Sequence, residues 1–301
     1  MKTDVSEKGL ERLICLALTG VPCEPIFTTH TESAESSGIN DKKLLYGGNG
    51  WLPGYPADYD SEYTVDLVHL STFLKTTQPE IAKSLDLEND SPTRRKFLAR
   101  LQGEISKKGV IHILRNGLLH GPDQIELFYG SPSTGNVNAA GLYAKNHFSV
   151  TRQLRYSRDE TRFALDLCLF INGLPVITFE LKNSLTKQTA ADAEQQYKLG
   201  RDPREKLFEF GRCMVHFAVD DSEVRMCTHL KGKASWFLPF NQGWNDGAGN
   251  PPNPLGIKTD YLWNQILAPE SLTDIIENYA QIIESKDKKT RRKQYTQIFP
   301  R

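Results

Sequence analysis

The clearest hydrophobic pattern lies in residues 162–182, RFALDLCLFINGLPVITFELK, where two apolar runs flank Asn172-Gly173. In the first run every odd position from 163 to 171 is apolar, so Asp166 projects from the opposite face. In the second run Glu180 shares a face with Lys182, because side chains alternate along a strand. Both runs are almost continuously apolar, which predicts two adjacent strands of a sheet that is covered on both faces.

The turn between the runs decides whether the two acidic residues meet. A two-residue loop at Asn172-Gly173 in a regular ladder pairs Asp166 with residue 179, so Asp166 and Glu180 point to opposite faces. A three-residue loop with a bulge pairs Asp166 directly with Glu180. Pro175 has no N–H and belongs at a bulge or at the start of a strand. We therefore expect the three-residue, bulged loop.

Asp166, Glu180 and Lys182 are the residue types that a metal-dependent nuclease needs. Carboxylates hold a hard divalent cation through oxygen, and a lysine beside the attacking water or the phosphorane steadies developing negative charge. An acid on one strand and Glu-x-Lys on the next are also common on the solvent face of an ordinary hairpin. The apolar surroundings favour the nuclease interpretation, since a charge in a covered sheet is costly unless it is paired or bound to metal.

The chain also resembles a known family. The segment from Leu165 through Phe240, which includes GLPVITFELKNSLTKQTAADAEQQYKLGRDPREKLFEFGRCMVHFAVD and FLPFNQG, resembles the N-terminal nuclease region of the restriction (motor) subunit of Type I restriction-modification enzymes. The resemblance is strongest from about residue 150 to residue 263. It implies an α/β fold with a PD-(D/E)xK, RecB-like core: a mixed central sheet flanked by helices, with an N-terminal helical elaboration.

Carried over residue by residue, the resemblance makes Asp166 and Glu180 the ligands of Mg²⁺ and Lys182 the catalytic lysine. The residue before Asp166 is Leu165, where the family motif often has proline. Such nucleases also place a glutamate from an N-terminal helix near the metal. Here Glu11 matches that residue better than Glu7 does.

A second departure concerns the helix that follows the Glu-x-Lys strand. Related enzymes carry Gln-x-x-x-Tyr there, whereas this chain has Ala193 four residues before Tyr197. Gln196 and Tyr197 offer similar chemistry at another spacing. We therefore name both as candidate supporting residues.

For the intact enzyme, the resemblance implies host defence against foreign DNA. Its substrate is double-stranded DNA, cleaved with little sequence preference, and its partners are specificity and modification (methyltransferase) subunits. ATP enters only through motor domains outside this chain, because no Gly-x-x-x-x-Gly-Lys-Ser/Thr occurs here. In the family the final QIFPR lies just before the translocase, so we expect this chain to be a fragment of a longer protein.

Composition is typical of a cytoplasmic α/β protein: 301 residues, 39% of them hydrophobic, with a mean hydropathy of -0.47. The longest apolar run, Leu13–Leu18, is too short to span a bilayer, and the N-terminus lacks the features of a secretion signal. Five cysteines without a Cys-x-x-Cys spacing predict reduced, mostly buried thiols. The expected division is an endonuclease domain over 1–283, with a helical elaboration at about 60–120 and a nuclease core at about 125–235.

Charge gives only local hints of DNA contact, because 37 basic residues balance 37 acidic ones. Arg152 and Arg158 share a face if their run is one strand, which suits phosphate contact at the mouth of the site, although a solvated edge explains them equally well. Residues 284–301 include KDKKTRRK and are expected to form a basic linker toward the translocase, with DNA contact as the alternative.

Two other functions stay open on the sequence alone. The first is a DNA-binding or subunit-docking module whose nuclease site is idle in isolation, which the balanced charge and the altered Gln-Tyr spacing favour. The second is a metal-dependent hydrolase of small phosphate esters. A closed pocket around Glu180 would favour the small-ester hydrolase, and an open cleft with a basic rim would favour a nuclease.

Overall fold

The computed structural model describes residues 7–23, 48–159, 163–183, 186–286 and 293–300. The side chain of Glu7 and residues 287–292 of the basic tail, both named in the sequence predictions, lie outside the described residues.

A mixed sheet of seven strands forms the centre of the described chain, in the order β1-β6-β7-β8-β9-β10-β11. β1 pairs parallel with β6 and β8 pairs parallel with β9, while the other neighbours are antiparallel. The strands of this sheet are β1 Leu52–Pro53, β6 Phe148–Leu154, β7 Leu165–Ile171, β8 Leu174–Leu181, β9 Val215–Val219, β10 Val224–Cys227 and β11 Leu238–Pro239. Three two-stranded ribbons complete the strands: β2 Tyr59–Asp60 with β3 Val65–Asp66, β4 Leu118–His120 with β5 Asp123–Ile125, and β12 Gln281–Lys286 with β13 Lys293–Ile298.

Helices pack on both faces of the sheet, as expected for strands that are apolar throughout. In the described residues the α-helices are Glu7–Thr19, Leu67–Thr77, Pro79–Leu85, Pro92–Lys108, Val110–Asn116, Val137–Tyr143, Ala190–Gln195 and Pro269–Asp274. Side-chain caps begin at least three of them: Asp66 accepts from the backbone N–H of His69, Ser91 from that of Arg94 and Asn136 from that of Ala139. The stretch predicted to be helical therefore contains consecutive helices from Leu67 to Asn116.

The hairpin between β7 and β8 corrects the predicted loop. Ile171 pairs with Leu174 across a two-residue turn, in which Asn172 has φ 50° and Gly173 has φ 82°. The bulge that the prediction put in the loop lies inside the ladder, between Leu169/Phe170 and their partners. From there on Leu167 pairs with Phe179, and continuing this register sets Asp166 opposite Glu180. The predicted three-residue loop was wrong, but the predicted pairing of Asp166 with Glu180 does form.

Asn172-Gly173, with positive φ at both residues, is a sequence that favours a two-residue turn, and distant groups hold this turn in place. The side-chain amide of buried Asn172 donates to the carbonyl oxygen of Leu127, 2.9 Å away, and to the side-chain oxygen of Asn146, also 2.9 Å away. A Cβ on Gly173 would lie 2.4 Å from the carbonyl oxygen of Asp66, so only glycine fits. These contacts join residues far apart in the chain, so local turn statistics do not reveal them.

Two hydrophobic clusters cover the sheet. The larger packs Leu167, Leu169 and Ile171 of β7 against the first helix and the helices from 67 to 116. The smaller packs Cys168 and Phe170 of the same strand against the helix that begins at Ala190. The alternation along β7 thus divides its side chains between the two clusters, as the sequence pattern predicts.

The C-terminal segment differs from the predicted linker. Residues 284–301 were expected to form a linker, but helical structure ends at Tyr279 and the chain enters β12, which pairs with β13. The side-chain amide of Gln297 donates to the carbonyl oxygens of Cys213 and Met214, at 2.7 and 2.6 Å, and Phe299 is buried. Contacts with the body of the protein therefore hold part of residues 284–301 in a strand.

Two predictions from composition agree with the fold. All five cysteines are buried and carry free thiols. Within the described ranges, every helix is too short or too polar to cross a membrane.

Candidate active site

Asp166 lies near the start of β7, at the edge of the sheet where β8 ends. One carboxylate oxygen accepts a hydrogen bond of 2.7 Å from the backbone N–H of Leu181. The other accepts a longer one, of 3.4 Å, from the side-chain amide of Gln153. The carboxylate is therefore tied to the neighbouring strand on each side of β7.

Glu180 is fully buried on β8. Its Oε1 accepts from Nε of Arg201 and its Oε2 accepts from the side-chain amide of Gln196, each at 2.6 Å. Burial raises the pKa of Glu180 to about 8, the charge of Asp166 adds to the increase, and Arg201 opposes it without cancelling it. Two carboxylates that disfavour each other's charge are thus adjacent in a water-poor site.

Arg201 is the residue of this site that the sequence patterns missed. Its guanidinium is buried, and besides Glu180 it donates to the hydroxyl of Tyr156 at 3.2 Å and to the carbonyl oxygen of Ala164 at 2.6 Å. Its charge faces the ring of Tyr156 at 5.5 Å from the centroid. Arg201 opens the quoted string RDPRE, but an arginine after a helix carries no local signal of a buried partner 21 residues earlier.

Lys182 follows directly after β8, and 9% of its surface is exposed. Its backbone N–H donates to the carbonyl oxygen of Val219 at 2.9 Å, which continues the pairing with β9. Its positive charge acts to lower the pKa of Glu180, so the ammonium lies within electrostatic reach of that carboxyl. Asp166, Glu180 and Lys182 are therefore brought together, as the sequence predicts.

The two candidate supporting residues have different surroundings. Gln196 contacts Glu180 directly. Tyr197 does not bond Glu180; its hydroxyl lies 2.8 Å from the hydroxyl oxygen of Thr178, which in turn lies 2.7 Å from Nδ1 of His216. His216 is buried.

The backbone offers a reason for the unusual Gln-Tyr spacing. The helix that begins at Ala190 is α-helical only to Gln195 and widens into a π-helical turn over Gln196–Gly200. A π turn carries one extra residue and rotates the side chains that follow it, and such turns are frequent at functional sites. The π-helical turn begins at Gln196, the residue whose side-chain amide donates to Glu180.

Glu11 approaches the same site from the first helix. It is buried, its Oε2 accepts from Nε of Arg152 at 3.1 Å, and its Oε1 accepts from the side-chain amide of Gln153 at 2.8 Å. Burial raises the pKa of Glu11, and the charge of Asp166 adds to the increase. Among the N-terminal glutamates considered, Glu11 is the one whose described side chain lies near Asp166.

The strand face that Arg152 and Arg158 were expected to share does not form. β6 ends at Leu154, so Arg152 and Arg158 do not share a strand face. The guanidinium of Arg152 turns inward to Glu11 and to the carbonyl oxygen of Pro22, at 3.0 Å from the latter. Arg158 is largely exposed and lies 4.0 Å from Glu62. The expectation failed because the strand is shorter than its sequence pattern.

The carboxylates of Asp166 and Glu180 suit a hard divalent cation by their chemistry, since each disfavours the other's charge and a cation between them would relieve that repulsion. The described side chains contain no group of three or more His, Cys, Asp or Glu that could hold a metal ion. Mg²⁺ ordinarily takes one or two carboxylates and completes its shell with water or phosphate oxygens, so two carboxylates suffice.

A cleft of about 620 Å³ adjoins Arg201. Basic Lys198 and Lys233, exposed Phe163 and the acidic residues Asp202 and Glu205 line it. Its rim is mixed in charge.

Comparison with known proteins identifies the chain's relatives. The family described as the N terminus of the Type I restriction enzyme R protein matches residues 83–235, just over half of the 301 residues, including Asp166, Glu180, Lys182 and Arg201. The chain belongs to this family. The resemblance read from the sequence is therefore confirmed.

Two proteins of Methanocaldococcus jannaschii are similar to this R-protein N-terminal region. One, whose name describes it as the endonuclease subunit of the type I restriction enzyme MjaVIIIP, is 25% identical over 258 residues, which are 84% of this chain and 23% of that protein. The other, named for the endonuclease subunit of MjaIXP, is 35% identical over 74 residues, 24% of this chain and 7% of that protein. The chain thus spans less than a quarter of the length of either relative.

Proposed function

We propose that this region is a Mg²⁺-dependent endonuclease that hydrolyses DNA phosphodiester bonds with little sequence preference of its own. The observation that carries the proposal is the meeting of Asp166, Glu180 and Lys182 at one end of β7 and β8 in a member of the Type I R-protein family. Membership of the family gives the biological context. The three side chains supply the groups that phosphodiester hydrolysis needs.

Each side chain has a role that its contacts support. Asp166 and Glu180 would hold Mg²⁺, which when bound polarises the phosphate and lowers the pKa of a water. Lys182 orients the attacking water or steadies the negative charge that develops on the phosphate. Glu11, beside Asp166, adds negative charge at the metal side of the site.

Gln196 and Arg201 hold the Glu180 carboxylate, because each donates a hydrogen bond to one of its oxygens. Tyr197 supports the packing of the helix rather than the carboxylate itself, because its hydroxyl bonds Thr178. An ionised Glu180 needs a compensating charge in a buried site, and Arg201 supplies it in the metal-free protein.

We further propose that the region acts in the cytoplasm within a larger assembly. Its partners would be double-stranded DNA and the specificity and modification subunits, and ATP would act through motor domains of an intact subunit. The fact that the relatives are more than four times as long as their aligned segments supports this context.

A second candidate is a DNA-binding or docking module whose nuclease site is idle in the isolated chain. It is favoured by one observation: both oxygens of Glu180 already accept hydrogen bonds, from Arg201 and Gln196. Metal binding would then require partners that release the carboxylate.

The experiment is Mg²⁺-dependent cleavage of supercoiled and linear DNA, by this chain and by the intact subunit with its specificity and modification subunits. Asp166→Ala and Lys182→Ala should each abolish cleavage in every setting where the parent cuts. Matched controls are Glu88→Ala and Lys96→Ala, which remove exposed charges of the same sign on other helices and loops.

If the assembly cleaves DNA but the isolated chain does not, and both site variants abolish this cleavage, the nuclease activity belongs to this site and the isolated chain is idle. Absence of cleavage even in the full assembly, or site variants as active as the controls, would refute the nuclease proposal.

A further inference from the structure

Gln153 has a backbone conformation that its place in the sheet does not require. It lies within β6 with φ 48°, in the left-handed region that side chains other than glycine rarely adopt. That conformation costs roughly 1–2 kcal/mol for a residue with a Cβ. The side chain of Gln153 is exposed, so burial of apolar surface does not compensate for the strain.

The strain has a geometric consequence. Neighbouring residues of a regular strand point to opposite faces, yet Arg152 and Gln153 both donate to the carboxylate of Glu11. The next residue, Leu154, packs in the smaller hydrophobic cluster with the helix that begins at Ala190. The left-handed residue thus directs two successive side chains to one carboxylate and still returns the chain to the sheet.

Gln153 also reaches the candidate site. Arg152 pairs with Leu167 and Leu154 pairs with Leu165, so Gln153 lies opposite Asp166. Its side-chain nitrogen lies 2.8 Å from Oε1 of Glu11 and 3.4 Å from Oδ1 of Asp166. An amide nitrogen has two hydrogens, one for each carboxylate, so a single group bridges two negative charges that repel each other.

We propose that Gln153 is a positioning residue, which ties the carboxylate of Asp166 to that of Glu11 and so holds Asp166 in place for the divalent cation. The inference rests on the proposed function for the identity of the ligand, and on the strained backbone and the two contacts for the role of the residue. Groups that orient metal ligands typically contribute 10–100-fold to metal affinity or activity.

The test uses Gln153→Gly in the full chain, because glycine keeps the backbone conformation without strain and removes the exposed side chain together with its amide. The matched control is Asn245→Gly, an exposed loop residue that also has φ 48°. We expect Gln153→Gly to weaken Mn²⁺ binding, followed by electron paramagnetic resonance, by about 10-fold or more, with an unfolding midpoint at or above that of the parent. The control should change neither quantity.

A second readout works without metal. The backbone N–H of Leu181 donates to Asp166, so its hydrogen exchange reports how firmly that carboxylate is held. We expect this amide to exchange faster in Gln153→Gly than in the parent, while amides in the β8–β9 ladder, such as that of Phe217, keep their rates. Gln153→Asn keeps an amide that is one methylene too short, and should behave like the glycine variant.

The two readouts separate the possible failures. Parental Leu181 exchange in Gln153→Gly, or parental Mn²⁺ affinity in that variant, would overturn the positioning role. Absence of Mn²⁺ binding by the parent chain and the assembly would instead count against the proposed metal site, and Leu181 exchange alone would then decide whether Gln153 holds Asp166.

Discussion

The buried pair of Glu180 and Arg201 makes a sharp energetic prediction. Arg201→Met removes the guanidinium and leaves Glu180 buried with Gln196 as its remaining partner. Breaking a buried ion pair by removing one member ordinarily costs about 3–5 kcal/mol, because the other charge is left uncompensated. We therefore expect Arg201→Met to lower the free energy of unfolding by roughly 4 kcal/mol.

A double-mutant cycle isolates the pair from the other contacts of Arg201. In Arg201→Met with Glu180→Gln no charge is left unpaired, and only the hydrogen bonds to Tyr156 and Ala164 are lost, about 1 kcal/mol each. If Glu180→Gln alone costs about 1–2 kcal/mol, the coupling energy is about 3–4 kcal/mol, at or just above the upper end of the range for contacting residues.

Urea unfolding of the four proteins measures the cycle, without divalent cations and at pH 9, because the pKa of Glu180 is about 8 and its carboxyl is ionised above that value. The control is Arg204→Met, because Arg204 is exposed and its partner Asp202 lies at the surface, so the midpoint should not move. Additivity of the two single changes within about 0.5 kcal/mol would refute the conclusion that Arg201 is held in the site chiefly by Glu180.

Three further predictions concern stability and need only purified chain. Burial lowers the pKa of His216 to about 3, with a smaller contribution from the charge of His229, so the folded state resists protonation and stability falls as pH drops below about 6.5. His216→Met should therefore remove roughly 2 kcal/mol of the stability that the parent loses between pH 7 and pH 5, as measured by urea unfolding. An unchanged dependence of stability on pH would contradict the assignment. In Gly173→Ala the new Cβ would lie 2.4 Å from a backbone oxygen, at a residue with φ 82°. This variant should lower the free energy of unfolding by at least about 2 kcal/mol, measured by thermal unfolding. A midpoint equal to that of the parent would show that the turn is not constrained as described. Gln297→Ala should lose two buried hydrogen bonds, about 2 kcal/mol, and expose residues 281–300 to limited proteolysis; unchanged cleavage would mean that this side chain does not hold the C-terminal strands.

The sequence predicted those features that depend on local periodicity. Alternation along β7 correctly separated Asp166 from the face that carries Leu167, Leu169 and Ile171. The adjacency of Asp166 and Glu180 also formed as predicted, although it depends on a bulge inside the ladder and not on a three-residue loop. Period-two patterns are reliable here because both faces of the sheet are covered, so that a slip of one residue would bury the wrong side chains.

Features that depend on distant partners were missed. Arg201 was overlooked because it pairs with Glu180 across the end of a helix. The predicted loop was wrong for a local reason, because Asn172-Gly173 favours a two-residue turn and the bulge lies in the ladder beyond it. The left-handed conformation of Gln153 has no signature in the residue type.

The direct test of the account is the position of the cation. Crystals soaked in Mn²⁺ and measured at the manganese absorption edge should show an anomalous peak bound by carboxylate oxygens of both Asp166 and Glu180, with the peak absent in Asp166→Ala crystals. An anomalous peak bound by other residues would contradict the account. So would the absence of a peak, with Glu180 still paired with Arg201, under conditions in which the protein cleaves DNA.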